Sequence, residues 1–449
     1  MTRVPRWAVA IILVVSAASP ALAQSFTLDQ AIDHALANNK DLAAAREQPV
    51  AAHEAVTQAR ASVLPHVTLG AGYTRLSEVP VIESKKPNIE LPTTPLSPPS
   101  VTFEKVETKM GDEDNYQAQA KATQVLFTSG GALAGIRAAK AGERAAVESV
   151  RAREEDIARQ VAEAFWAVIF AQDVLAAQRE SLRVAEAHLA DVRIRATHGA
   201  ASRFEMLRSE VDVANLRPEV KKSENQVLIA KTGLKSLIGL DLDAPIDAVG
   251  TLTPDVPALG YADARDEAMR ERHELAALAA GAEANERKAW ASTAMALPRI
   301  FATGSYTYQK PWYFENDWKD WWSLGVGVEI PVFDGLQALG ARRQALSDAR
   351  RMDLEANAAR EKIDLAIRRS LLDLTETGPR VAETAENVRR AEETHAMAEN
   401  AYRQGAMTNL EVLDAQLALT GARTRHIQAL YDHQIAKTRL LAATGRLVP

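Results

Sequence analysis

The chain has 449 residues, 25% charged and 47% hydrophobic, with no cysteine and a formal net charge of −6. The length is that of two or three ordinary domains or of one elongated architecture. Without cysteine there is no disulfide scaffold, thiol nucleophile, zinc ribbon, iron–sulfur cluster or lipobox, and the mildly acidic balance speaks against a nucleic-acid binder.

Arg3 and Arg6 precede the apolar run Ala8 to Val15, and Ala21-Leu22-Ala23 offers a small-x-small cleavage site. Residues 1–23 therefore read as a secretory signal peptide. The apolar run is too short to span a bilayer, and no later stretch is expected to supply the roughly 20 apolar residues of a spanning helix.

A first repeat is expected over 24–250. It opens with a helical segment from about Leu28 to Val63, followed by a strand at 66–75, in which Val67, Leu69, Ala71 and Tyr73 alternate with polar or small residues. The Pro-rich, charge-mixed stretch 76–114 reads as a long loop, and a second alternating strand follows at 115–127. Thr128-Ser129-Gly130-Gly131 reads as a strand-to-helix corner; it lacks the Lys-Ser/Thr pair of a phosphate-cradling loop. From about Ala132 to Thr197, apolar residues recur at spacings of four and three: Ile157, Val161, Ala164, Val168, Ala171, Leu175, Leu182, Ala185, Leu189, Val192 and Ala196. That is a coiled-coil seam on a helix of roughly 100 Å. A turn at 198–205 and a helix from Phe204 to Ile238, with a kink expected at Pro218, complete the unit.

The second repeat, 251–449, has the same order. A helix is expected from about Ala262 to Ala296, and strands at 299–309 and 321–333. Trp312, Tyr313, Trp318, Trp321 and Trp322 crowd between and onto those strands, where an interfacial girdle would lie. A long helix with Ile367, Leu374, Val381 and Val388 seven apart follows, with a kink expected at Gly378-Pro379, then a turn at 404–411 and a helix from Leu410 to Ala443. The duplication is legible directly: Arg195–Leu240 aligns with Ala401–Arg446 at a constant offset of 206, and Leu64-Pro65 and Tyr73 align with Leu297-Pro298 and Tyr306 at 233. The difference falls in 76–114, so the first repeat carries an enlarged connection.

Strands of about 9–11 residues with one apolar face have transmembrane dimensions. Four cannot close a barrel, and lipid forbids an open edge. Three copies would give an even set of twelve. A soluble periplasmic coiled-coil adaptor or scaffold with two small sheets is the alternative that periodicity leaves open. No His-Glu-x-x-His helix, nucleophile elbow or Walker loop occurs, and neither enzyme chemistry, a metal nor a cofactor is expected.

Thr27-Leu28-Asp29-Gln30-Ala31, the duplicated unit, Phe333-Asp334-Gly335 and above all the run Tyr402 to Gln416 resemble the TolC-type outer-membrane efflux family over nearly the whole chain. The resemblance implies a mixed α and β membrane protein: a homotrimer with a shared 12-stranded outer-membrane β-barrel and a long periplasmic coiled-coil barrel. Such a protein sits in outer-membrane lipid and serves passively as the exit duct of an efflux or type I secretion system. Its implied partners are a periplasmic adaptor (membrane fusion) protein and an inner-membrane pump of RND or ABC type. The turns become periplasmic tips. Glu411, Asp414 and Glu205 match constriction carboxylates, and Tyr402 matches a gate tyrosine expected to bond Glu205. Gly199, Ala200, Ser202, Leu207, Gly405, Thr408, Leu410 and Leu413 become adaptor-contacting positions. Met407 and Phe204 depart from the family pattern where an arginine-based lock is usual; Arg203, Arg208 and Arg403 are the candidate replacements.

Overall fold

The computed structural model describes residues 24–90, 100–255 and 259–447; the signal peptide expected at 1–23 lies outside them. The elements run β1 (Gln24–Phe26), α1 (Leu28–Asn38), α2 (Lys40–Ala61), β2 (His66–Arg75), β3 (Val81–Glu90), β4 (Ser100–Lys109), β5 (Asp114–Phe127), α3 (Gly131–Thr197) and α4 (Arg203–Ile238). They continue with β6 (Ile246–Ala248), α5 (Tyr261–Glu271), α6 (His273–Ala294), β7 (Arg299–Lys310), β8 (Lys319–Glu329), α7 (Gln337–Arg403) and α8 (Asn409–Ala443).

Three expectations need correction. The stretch 76–114 is not simply a loop, because β3 and β4 pair antiparallel along their whole length, from Val81↔Lys109 to Glu90↔Ser100. Its prolines masked a strand pattern; Pro87 sits in β3 of a two-stranded ribbon, where a missing N–H facing outward costs no ladder bond. The single helices expected near either repeat's start are each broken in two, at Asn39 and Arg272, both in extended conformation. These breaks are themselves 233 residues apart. Each break residue reaches across to a late carbonyl of the repeat's last helix: Asn39 Nδ2 donates to Leu237 O at 2.8 Å, Arg272 Nη1 to Ala442 O at 2.9 Å. Finally, α3 does contain an 18-residue window apolar enough to cross a membrane by composition; its apolar residues serve the heptad seam instead. Helices α4 and α7 run unbroken through Pro218 and Pro379.

The described residues form two compact units, one within 24–48, 148–276 and 357–447, the other within 49–147 and 277–356. Each takes part of both repeats, so the duplication is a sequence boundary rather than a boundary of compaction. The second unit holds a four-stranded antiparallel sheet in the order β2-β5-β7-β8. Its register lines up the alternation of all four strands. Leu69 pairs with Ala120, Ala120 with Tyr306 and Tyr306 with Trp322 on one face; Gly70 pairs with Gln119, Gln119 with Thr307 and Thr307 with Trp321 on the other. The apolar face is bare: Leu69 is 84% exposed, Leu324 78% and Trp322 70%. Beside the sheet, α2, the start of α3, α6 and the start of α7 bury mainly alanine (Ala134, Ala141, Ala282, Ala289, Ala345, Ala349), which lets helix axes approach closely.

The first unit has a core of large side chains. Ile157, Val161, Phe165 and Val168 of α3 pack with Leu42, Leu234, Ile238 and Ile435 around the parallel pair β1-β6. Of the predicted α3 seam, Ile157, Val161, Val168, Ala171, Ala185, Leu189 and Val192 are buried. Three ion pairs staple α3 to α4 at heptad intervals: Arg179–Glu224 (2.9 Å), Glu186–Arg217 (3.0 Å) and Arg193–Glu210 (2.7 Å). The middle pair recurs 206 residues later as Glu392–Arg423 at 2.7 Å.

Candidate functional site

The two predicted tips are built identically. After α3, Gly199 adopts φ 75°, Gly199 N donates to Ala196 O and Ala200 N to Arg195 O; after α7, Gly405 also has φ 75°, with Gly405 N on Tyr402 O and Ala406 N on Ala401 O. This left-handed closure is strained for any residue with a Cβ, which accounts for glycine at both positions. Ser202 and Thr408 then cap α4 and α8 in capping boxes closed by Glu205 and Glu411. Glu205 Oε2 accepts from Ser202 N at 3.3 Å; Glu411 Oε2 accepts from Thr408 N at 2.7 Å and from its hydroxyl at 2.9 Å. Those bonds hold the fully exposed Glu411 carboxyl below the usual glutamate range. Asp414 is exposed one turn further along α8.

Tyr402 is 6% exposed, in a cluster with Val192, Ala398, Val412 and Ala415. Burial and the nearby Glu205 charge raise its phenol, while Arg195 opposes them. Among the described residues no hydrogen bond joins Tyr402 to Glu205, which corrects the expected cross-helix contact. The tyrosine lies instead under Arg195, whose guanidinium is 5.0 Å from the ring centroid. That guanidinium also donates to Tyr402 O at 3.3 Å and Arg403 O at 2.9 Å, and pairs with Asp191 at 3.3 Å. A cation placed there satisfies the open carbonyls at the end of α7 and its dipole. Of the arginines considered from sequence, Arg403 makes only a local pair with Glu399 at 3.2 Å.

A buried polar knot joins the two hairpins. His188 Nε2 donates to Asn409 Oδ1 at 2.6 Å, and Asn409 Nδ2 donates to Glu205 O and Ser209 Oγ, both at 3.2 Å. His188, Asn409 and Ser209 are all at most 3% exposed. Burial pushes Asp212 up, with His188 and Arg208 opposing, and pushes His395 down. Sequence reasoning missed Arg195, His188, Asn409 and Ser209. The signal was there in the broken duplication, since their partners at offset 206 are Ala401, Thr394, Arg203 and Ala415.

The expected adaptor-contacting positions divide. Gly199, Ala200, Ser202, Gly405 and Thr408 are exposed, Leu207 and Leu410 are 47% and 42% exposed, and Leu413 is half-buried. Phe204, at 71%, is the barest apolar side chain of either tip turn. At the sheet, Trp318 stacks on Tyr308 at 4.7 Å and meets Tyr116 at 5.9 Å, joining Trp322 on the apolar side. Trp321 belongs to the polar face by register and lies 6.3 Å from Trp312, which contacts Tyr313.

Against this geometry, the sequence matches the family described as outer membrane efflux protein over residues 31–240 and 264–446. The chain belongs to that family. Its relatives include the outer membrane efflux protein BepC of Brucella suis, 24% identical over 72% of this chain and 71% of that one. The alkaline protease secretion protein AprF of Pseudomonas aeruginosa is 24% identical over 75% and 71%, and the pyoverdine export outer membrane protein OpmQ of Pseudomonas putida 23% over 93% and 85%. Among solved structures, the outer membrane protein VceC of Vibrio cholerae superposes with a TM-score of 0.73 at 19% identity, covering 93% of this chain and 96% of that one. The fold is TolC-like, and the protein is an outer-membrane exit duct with a periplasmic extension, not an enzyme. The soluble scaffold alternative falls with this assignment, and the bare apolar sheet face is explained as a lipid-facing surface.

Proposed function

We propose that this outer-membrane efflux protein works as a homotrimer whose three sheets close a 12-stranded barrel and whose tips form a gated periplasmic entrance. The observation that carries the reading is the four-stranded sheet with a largely exposed apolar face and two edges, β2 and β8, unpaired among the described residues. Lipid cannot solvate those edges, so they must find strands in other copies. The duct then receives substrate from an inner-membrane pump of RND or ABC type through a periplasmic adaptor docked on the exposed tip positions. The names of AprF and OpmQ, which mention protease secretion and pyoverdine export, support a place in such systems.

At the entrance, Glu411 and Asp414 from three copies would set six carboxylates around one axis. A ring of like charge favours cations. The test is planar-bilayer recording of the purified protein together with capture of the adaptor encoded nearest to it. A small, cation-preferring conductance that adaptor binding enlarges is expected. An anion-preferring or permanently wide channel would remove the gate from the reading.

A further inference from the structure

We propose that the groove between α3 and α6, at the end of these helices next to the sheet, seats the anionic phosphate headgroup of a phospholipid from the periplasmic leaflet. Two adjoining hollows, of about 350 and 490 Å³, run along the pair and share Arg137 and Arg287. The one nearer the sheet adds apolar walls to the shared arginines and Glu286: Leu133 is 53% exposed and Trp290 55%, and the indole lies over the strand-to-helix corner, with Nε1 3.6 Å from where a Cβ on Gly130 would stand. The one farther from the sheet is charged. There Arg144 pairs with Glu283 at 2.6 Å, Arg287 reaches the same carboxylate at 3.7 Å, and Glu143 is held by His53 at 2.8 Å. Arg137 and Lys140 have no ion-pair or hydrogen-bond partner for their charged ends among the described residues, and nor does the carboxylate of Glu286. The groove therefore offers two free cations against one free acid, in a protein whose net charge is −6.

Placement selects the ligand. The headgroup zone on each side of the hydrocarbon core is roughly 5–7 Å deep. At 1.5 Å per residue, Leu133 lies about 3 Å and Arg137 about 9 Å from the start of α3. Measured from the start of α3, the apolar end falls within that depth, where tryptophan concentrates; Arg137 falls just beyond its outer margin and Lys140, about 13.5 Å along, lies further out, so a lipid phosphate meets Arg137 first. A separate cavity of about 530 Å³ is touched by all four helices of this unit, through Ala59, Ala132, Ala291 and Gln337, and the α3–α6 groove uses other faces of the same two helices.

The test uses the full-length protein, purified in detergent, stripped of co-purifying lipid and titrated by native mass spectrometry with phosphatidylglycerol, phosphatidylcholine and inorganic phosphate. Phosphatidylglycerol should bind in preference to phosphatidylcholine, and Arg137→Gln with Lys140→Gln should weaken it by about tenfold. The Arg137→Lys with Lys140→Arg variant should retain it. Because neither side chain has a partner among the described residues, elution volume should not change, which separates lost binding from lost fold. Equal binding of both lipids, or no effect of the glutamine pair, would overturn the proposal. Displacement of the lipid by millimolar inorganic phosphate would do so as well, since it would mark a bare anion site.

Discussion

At the scale of single residues, the tip glutamates hold their helices' first N–H groups as well as carrying charge. Glu411→Gln keeps an acceptor for the capping box and removes only the charge, so α8 should stay capped while cation preference falls. Combined with Asp414→Asn, the fall should be severalfold in reversal-potential measurements; unchanged preference would show both to be ordinary solvated acids. Because Thr408 holds the Glu411 carboxyl below its ordinary range, its share of the preference should survive acidification past the pH where a free glutamate loses its charge. The buried knot gives a different result. Asn409→Ala strands the His188 Nε2 inside the tip, while Ser209 keeps its bond to Glu205 O, at a cost of about 1–3 kcal/mol, and Arg195→Ala uncovers the last carbonyls of α7. Either variant should raise single-channel conductance, and a closed, wild-type conductance in both would show that these contacts do not hold the tips together.

At the scale of elements, the two coiled-coil hairpins differ in their seams. Where the first repeat has the buried Ala171 and Val227 at the equivalent positions, the second pairs Thr377 with His433 at 2.9 Å, and one heptad on, Thr384 with His426 at 3.1 Å. Burial lowers the His426 imidazole. Its neutral form is the one the seam accommodates, so this contribution is complete above the unfolded value of about 6.5 and is lost as pH falls through the lower folded value. Amide protection factors across α7 and α8, corrected for the intrinsic pH dependence of exchange, should therefore fall on acidification below about pH 6.5, and His426→Leu should blunt the response. Much of this level was legible in sequence. The heptads located the long helices, the alternation placed β2 at the residues observed, and the tip turns followed from Gly199 and Gly405. The ribbon β3–β4 was hidden because prolines usually break strands, and the breaks at Asn39 and Arg272 because neither residue disfavours helix strongly. The lock residues were hidden because pattern reading follows what the repeats share, whereas Arg195 and Asn409 lie where they differ.

At the scale of the whole molecule, an exposed apolar face and two open strand edges make assembly a requirement of insertion. A protein with no cysteine makes this easy to check. One cysteine placed on β2 and one on β8 should, on oxidation in outer-membrane fractions, give a ladder ending at three linked chains. A ladder ending at two would contradict the twelve-strand wall. The staples along α3 and α4 bear on how such an assembly can open. Their charges alternate down each helix: Arg179, Glu186, Arg193 against Glu224, Arg217, Glu210. If one helix slid past the other by a single heptad, Arg179 would confront Arg217 and Glu186 would confront Glu210. The nearest slip that restores opposite signs is two heptads, about 21 Å. The α3–α4 hairpin is therefore keyed against piston-like travel, leaving it free to tilt as one rigid lever.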